Sequence, residues 1–263
     1  MTETVVYREE NGVATIAMNR PERRNSFTIE MADGLLEALE RAENDRGIRA
    51  VVITSTGDHF SVGRDNADTN PPPYPAGDHL RGRTSLMRYT RLVTCMHDMN
   101  TPTIAEIRGG CAGAGMSFAL NCDFRYASTT AVMSTAFVKV AFGGDLGGVW
   151  HLTRLVGPLR AKELLLLSPK LRGTELLDWG TGQRRGTARG TFGEGDGHRY
   201  RDRVLLAHGG RSGAAQSASR DQSVPGRLPA LEAEQFAVCA ASPDSEEARI
   251  AFLEKRVPRF AAV

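Results

Sequence analysis

The chain has 263 residues, 33 basic and 31 acidic, with 41% hydrophobic and 6% aromatic residues and four cysteines. That length suits one large domain, or a core with a smaller appendage. No apolar run reaches the length of a membrane span, and the first ten residues lack the basic-then-apolar pattern of a signal peptide. Cys95, Cys111, Cys122 and Cys239 show no CxxC spacing and the histidines no metal-ligand spacing. The expectation is therefore a cytoplasmic protein with no membrane association, disulfide framework or metal site. The charge is uneven: residues 181–228 carry nine Arg, no Lys and four acids. No aromatic-interleaved basic face accompanies them, which argues against a nucleic-acid partner.

Taken in chain order, Val13–Met18 reads as a strand closed by Asn19-Arg20-Pro21. Ser26 to Glu43 reads as a helix with Thr28 as N-cap and an apolar stripe of Met31, Leu35, Leu36, Leu39 and Ala42. Ala50–Thr54 is a buried strand, residues 64–84 a Pro-rich mobile loop, and Leu86–Met99 a helix. Thr103–Ile107 is a strand, followed by a Gly-rich turn over Gly109–Gly115 and a helix from Met116 to Cys122. Phe137–Phe142 leads into Gly143-Gly144-Asp145-Leu146-Gly147-Gly148, a helix through Leu155 and another from Pro158 to Leu167. Strand–helix alternation of this kind means α/β. Residues 1–180 form the core and 181–228 an atypical Gly/Arg-rich segment in which only Val204–Ala207 keeps any period. Residues 229–263 form a C-terminal helical region.

Three features carry candidate chemistry. The Gly109–Gly115 turn stands between a strand and a helix, where backbone amides can face a ligand oxygen. A purely structural turn is the competing reading, since the glycines match no phosphate-binding fingerprint. Ser117, in Gly115-Met-Ser-Phe-Ala119, half-resembles a nucleophile elbow, but no well-spaced Asp and His follow it. A packed helix serine is the preferred role. Asp145 lies among glycines and large apolar residues, where a desolvated carboxyl can exchange a proton near neutral pH. The alternative is an N-cap for the helix beginning near Leu146.

Together these stretches resemble the enoyl-CoA hydratase/isomerase (crotonase) family. The likeness rests on Asn19-Arg-Pro-Glu-Arg-Arg-Asn25, Phe60-Ser-Val-Gly-Arg-Asp65, Gly109 through Asp123, Phe137 through Gly157, and Ala251-Phe-Leu-Glu-Lys-Arg256, in family order. The resemblance implies a crotonase-like spiral of ββα units with a C-terminal helical trimerisation region, hence a homotrimer or dimer of trimers. It implies an acyl-CoA substrate and no cofactor beyond the coenzyme A of that substrate. An enolate would be held by the backbone amides of Arg64 and Ala114, on loops that include Val62, Gly63, Asp65, Gly110 and Gly113. Arg24 and Ser26 would line the coenzyme A entrance, and Phe252 and Lys255 would touch its adenine and phosphates. The two positions where hydratases of the family carry glutamates hold Ser117 and Phe137. Asp145 matches the acid of the isomerase-type branch, which includes epoxyphenylacetyl-CoA and enoyl-CoA isomerases. The implied activity is double-bond isomerisation, with hydration disfavoured.

Family members follow Trp-Gly with a run such as Leu-Val-Asn-Asp-Val-Val-Pro. Coded as GGA CTG GTC AAC GAC GTG GTA CCG and read from its third base, that run gives Thr-Gly-Gln-Arg-Arg-Gly-Thr, the sequence of residues 181–187. With 29 Arg to 4 Lys, the gene is expected to be GC-rich. Residues 181–228 therefore read as an out-of-frame translation, restored before Pro229. If the polypeptide itself carries that lesion, the alternative function is a catalytically impaired acyl-CoA-binding protein or pseudogene product.

Overall fold

The structure, a computed structural model, describes residues 3–67, 79–182, 185–186, 239 and 242–259. The expectations for the prolines at 71–75, for most of 181–228 and for 229–238 lie outside the described residues. Strand β1 (Val5–Glu10) pairs antiparallel with β2 (Val13–Met18). Their two-residue turn, Asn11-Gly12, has φ of 53° and 77°, the primed-turn geometry that an Asn-Gly pair favours. Helix α1 (Ile29–Asn44) starts where expected: the Thr28 Oγ1 accepts from the Met31 N–H at 3.2 Å. Its Met31, Leu35, Leu39 and Ala42 are all buried.

Strand β3 (Ala50–Ser55) is buried at every position, as a parallel strand covered on both faces must be. Helix α2 (His79–Asp98) begins well before Leu86. The polar residues and Gly82 at its start mask the apolar period, but a helix once nucleated gains a hydrogen bond with each added residue. The expected loop is correspondingly shorter. Strands β4 (Thr103–Ile107) and β5 (Gly110–Ala112) precede helix α3 (Ala114–Leu120), so the Gly-rich turn contains a short strand. Strands β6 (Phe124–Ser128) and β7 (Val132–Ser134) follow, and neither was expected. A 3-10 turn at Phe137–Val140 leads to α4 (Gly148–Leu167), which breaks at Gly157 before Pro158. That break separates the two helices read from the sequence.

Strand β8 (Leu171–Arg172), helix α5 (Glu175–Asp178), strand β9 (Arg185–Gly186) and helix α6 (Pro243–Leu253) complete the elements. The larger sheet has the order β1-β2-β3-β4-β6-β9, parallel except for β1 on β2. A smaller sheet has the order β5-β7-β8. The main core holds Ile16, Met31, Leu35, Ile53, Phe60, Phe118 and Leu164, while Val13, Ala50, Val52, Ile104 and Tyr126 pack as a second cluster.

The Gly/Arg-rich segment contributes β9, paired with Ala127 and Ser128 of β6. A ladder is built from backbone groups, so a sequence without strand periodicity can extend a sheet edge. Within the C-terminal region, helix α6 runs from Pro243 to Leu253, and Lys255 beyond it is left-handed with φ of 55°.

Candidate active site

Two adjoining backbone segments form the centre of the site. Residues 24–27 run beside 62–65: Val62 N–H donates to Arg24 O (3.3 Å), Phe27 N–H to Gly63 O (2.8 Å) and Asp65 N–H to Phe27 O (2.9 Å). In this parallel bridge the N–H and C=O of Arg64 point away from Phe27. On the other side, Ser61 pairs with Cys111: Ser61 N–H donates to Gly110 O (3.2 Å) and Ala112 N–H to Ser61 O (2.9 Å).

Gly63 and Gly113 meet where these segments converge. A Cβ on Gly63 would lie 2.9 Å from Ala112 O and 3.4 Å from Ala114 N, so no side chain fits there. Gly113, with φ of 53°, is the N-cap of α3 and offers no capping side chain. Ala114 opens the helix, and its amide is among those a helix leaves without an internal acceptor. The ring of Phe137 closes this cluster, with Cε1 at 4.0 Å from where a Gly113 Cβ would stand. The structure thus brings Gly63, Arg64, Gly113, Ala114 and Phe137 together, with Val62 beside Gly110.

Ser117 belongs to α3, and the turn that carries Asp145 packs on it through Gly148. Ser117 is 1% exposed and lies in mid-helix, packed so tightly that any side chain on Gly148 would collide with its Oγ. A buried mid-helix serine is not a nucleophile elbow, which removes the hydrolase reading. Asp145 is 8% exposed. The N-cap residue of α4 is Gly147 rather than Asp145, and the Asp145 backbone O accepts the Gly148 N–H at 2.8 Å.

Asp65 anchors the loop of Arg64. It is 5% exposed and bound by Arg20 (Nη2 to Oδ2, 3.0 Å) and Arg23 (Nη2 to Oδ1, 2.7 Å), with the Ala67 N–H also on Oδ1 (3.1 Å). Burial alone would raise its pKa, but the bonds from Arg23 and Arg20 outweigh that and bring it down to about 2. Arg20, Arg23, Thr28, Ile29, Glu30, Asp65 and Ala67 line a polar cavity of about 320 Å³. Arg20 and Arg23 stand inside the Asn19–Asn25 run, yet their partner lies 45 and 42 residues away, so nothing local reveals the clamp. His59 is a further omission. Its Nδ1 accepts the Gly110 N–H at 2.9 Å, joining the two central segments just before they diverge.

The predicted coenzyme A residues are more scattered. Arg24 is exposed and left-handed, with φ of 51°. Ser26 is 5% exposed, its carbonyl held by Arg20 Nη1 at 2.7 Å, so it underlies the surface. Helix α6 packs on the Phe137–Val140 turn through a small-residue face that buries Ala248 and Ala251. Phe252 (60% exposed) and Lys255 point outward from its end and do not join the central cluster. Among the described residues there is no group of three or more potential metal ligands, and no helix is long and apolar enough to cross a membrane.

Residues 8–184 match the family described as Enoyl-CoA hydratase/isomerase. The chain is 37% identical over 180 residues to the 1,2-epoxyphenylacetyl-CoA isomerase of Escherichia coli (strain K12), covering 68% of each. It is 32% identical over 265 residues to a probable enoyl-CoA hydratase of Rhodobacter capsulatus, covering 98% of this chain and 97% of that one. A crystal structure of an enoyl-CoA hydratase from Mycobacterium avium subsp. paratuberculosis K-10 matches with a TM-score of 0.84 at 28% identity, over 98% of this chain and 99% of that one.

Proposed function

The chain belongs to the enoyl-CoA hydratase/isomerase family, and on that premise we propose that it shifts a double bond within an acyl-CoA thioester. The carrying observation is a replacement of carboxyls. Ser117 and Phe137, both buried, stand where the resemblance places the two glutamates of a hydratase, while Asp145 keeps a buried carboxyl. Orienting and activating water calls for the missing pair, whereas moving a proton between two carbons calls for one base.

The step balances with no external reactant. The Asp145 carboxylate takes a proton from the α carbon of a β,γ-unsaturated thioester, and the electron pair delocalises onto the thioester oxygen. The N–H groups of Arg64 and Ala114 hold that oxygen, a donor pair whose effect is greatest when charge develops. The protonated Asp145 then returns its proton to the γ carbon, which leaves the α,β-unsaturated isomer. Coenzyme A enters as part of the substrate, and no other cofactor takes part.

The test uses 3-hexenoyl-CoA in D₂O. Wild-type protein is expected to form the 2-enoyl isomer, with deuterium at the γ carbon in those turnovers in which protonated Asp145 exchanges with solvent, and Asp145→Asn to lower turnover by about 10²- to 10⁴-fold. Unchanged turnover in Asp145→Asn, or hydration of crotonyl-CoA at the isomerisation rate, would falsify the proposal.

A further inference from the structure

We infer that Asn121 is a positioning residue that sets the Asp145 carboxyl relative to the oxyanion site, an inference that rests on the isomerase reading above. Asn121 is 9% exposed and stands just past the last residue of α3. Its Nδ2 donates to two carbonyls at once, Ser117 O at 2.7 Å and Leu146 O at 2.7 Å. Both neighbours are acceptors, so only the amino end of the amide can face them and its orientation is fixed. The first bond, to the carbonyl four residues back, ties the side chain to the C-terminal end of α3. The second holds the residue immediately after Asp145.

The second bond matters because of the backbone it grips. Leu146 has φ of 50°, a left-handed conformation that a branched side chain adopts only under constraint. Its carbonyl is held from across the site by Asn121, 25 residues away. Release of that bond frees the peptide next to Asp145 to rotate, carrying the carboxyl with it. The Gly63–Gly113 approach that builds the oxyanion site makes no use of Asn121.

A purely structural role accounts poorly for the side chain. Met116, Phe118, Ala119 and Leu120 around it are buried and apolar. Asn121 Oδ1 is itself buried without a hydrogen-bond partner, a cost that an apolar residue at this position would avoid. The amide is thus retained at some expense to the core, and the group it orders is the acid/base turn.

The inference separates proton transfer from carbonyl polarisation. Asn121→Ala is expected to lower kcat for 3-hexenoyl-CoA by about 10- to 100-fold with KM unchanged, the order expected when a reacting group is misplaced by about 1 Å. Bound cinnamoyl-CoA, whose absorption shifts to the red when its carbonyl is polarised, should keep its wild-type shift. The melting temperature establishes folding, and if the alanine variant does not fold, the isosteric Asn121→Asp carries the same expectation. Wild-type kcat in the folded variant overturns the inference while leaving the isomerase reading intact. So does a fall in kcat matched by loss of the red shift, which marks general disorder of the site. If wild type forms no 2-enoyl isomer from 3-hexenoyl-CoA, the isomerase reading and this inference fall together.

Discussion

His59 contributes to the site through a single atom. Its Nδ1 takes the Gly110 N–H at 2.9 Å, and a short side chain with an acceptor in the same place should do as well. Asn presents Oδ1 where His presents Nδ1, whereas Gln places its oxygen farther out. His59→Asn is therefore expected to retain kcat/KM for 3-hexenoyl-CoA. His59→Ala and His59→Gln should lose about 2- to 10-fold, the worth of one ordinary hydrogen bond, and weaken the red shift of bound cinnamoyl-CoA. Equal rates in all three variants would mean that the Gly110 bond does not order the oxyanion segments.

The element that carries Asp145 is held in uncommon backbone states. Ala136, Ala141 and Leu146 have φ between 50° and 57°, and Gly144 stands at 135°. Tertiary bonds hold this segment. Ala136 N–H donates to Ser168 Oγ at 2.8 Å, Thr135 Oγ1 to Leu164 O at 2.6 Å, and Asn121 to Leu146 O. At Gly144 the conformation excludes other residues, and a Cβ would lie 2.6 Å from Val149 Cγ2. Gly144→Ala is expected to cost about 1–3 kcal/mol of stability and to depress isomerase turnover more than acyl-CoA binding, measured by melting and by kcat against KM. Wild-type kinetics in a destabilised variant would show that the turn tolerates distortion without moving the acid. The sequence marks this stretch only as glycine-rich, because φ at Ala136 or Leu146 is imposed by bonds from distant elements. By contrast, the ends of α1 and the span of β4 are legible, since a Thr cap and a β-branched apolar run are local signals.

The whole molecule has the crotonase fold, and its acid stability follows from two groups that folding moves in the same direction. His151 is driven down to about 3 from an ordinary 6.5, first by burial and then by Arg125, His97 and Arg154. The unfolded chain thus binds a proton that the folded chain refuses, so this group's contribution is complete above about pH 6.5 and is lost as pH falls toward 3. Asp65, lowered from 3.8 to about 2, adds a second loss in that lower window, where its salt links to Arg20 and Arg23 are protonated away. The unfolding free energy from urea titration is expected to fall from pH 7 to pH 4, by at most about 1.4 kcal/mol per pH unit through His151. His151→Gln should flatten the upper part of that profile, and an unaltered slope in the variant would remove His151 as the cause. On the surface, Leu159 (81%), Leu166 (70%) and Leu167 (72%) are exposed on the second half of α4. Apolar area of this kind marks a candidate interaction surface.

Sequence alone determined the family, the α/β class, the Gly-rich turn before α3 and the residues on which the proposed reaction rests, Ser117, Phe137 and Asp145. Each of these is written in residues close together along the chain. Only the tertiary structure decided that Gly147 rather than Asp145 is the N-cap residue of α4, that Asp65 is clamped by Arg20 and Arg23, and that Asn121 and His59 make the bonds they do. The polar signal at Asn121 was visible, four residues after Ser117 in an apolar helix, but its second partner was not. Hydrogen bonds between groups 25 to 51 residues apart leave no periodicity and no fixed spacing, because what brings their atoms within 3 Å is the packing of the elements between them.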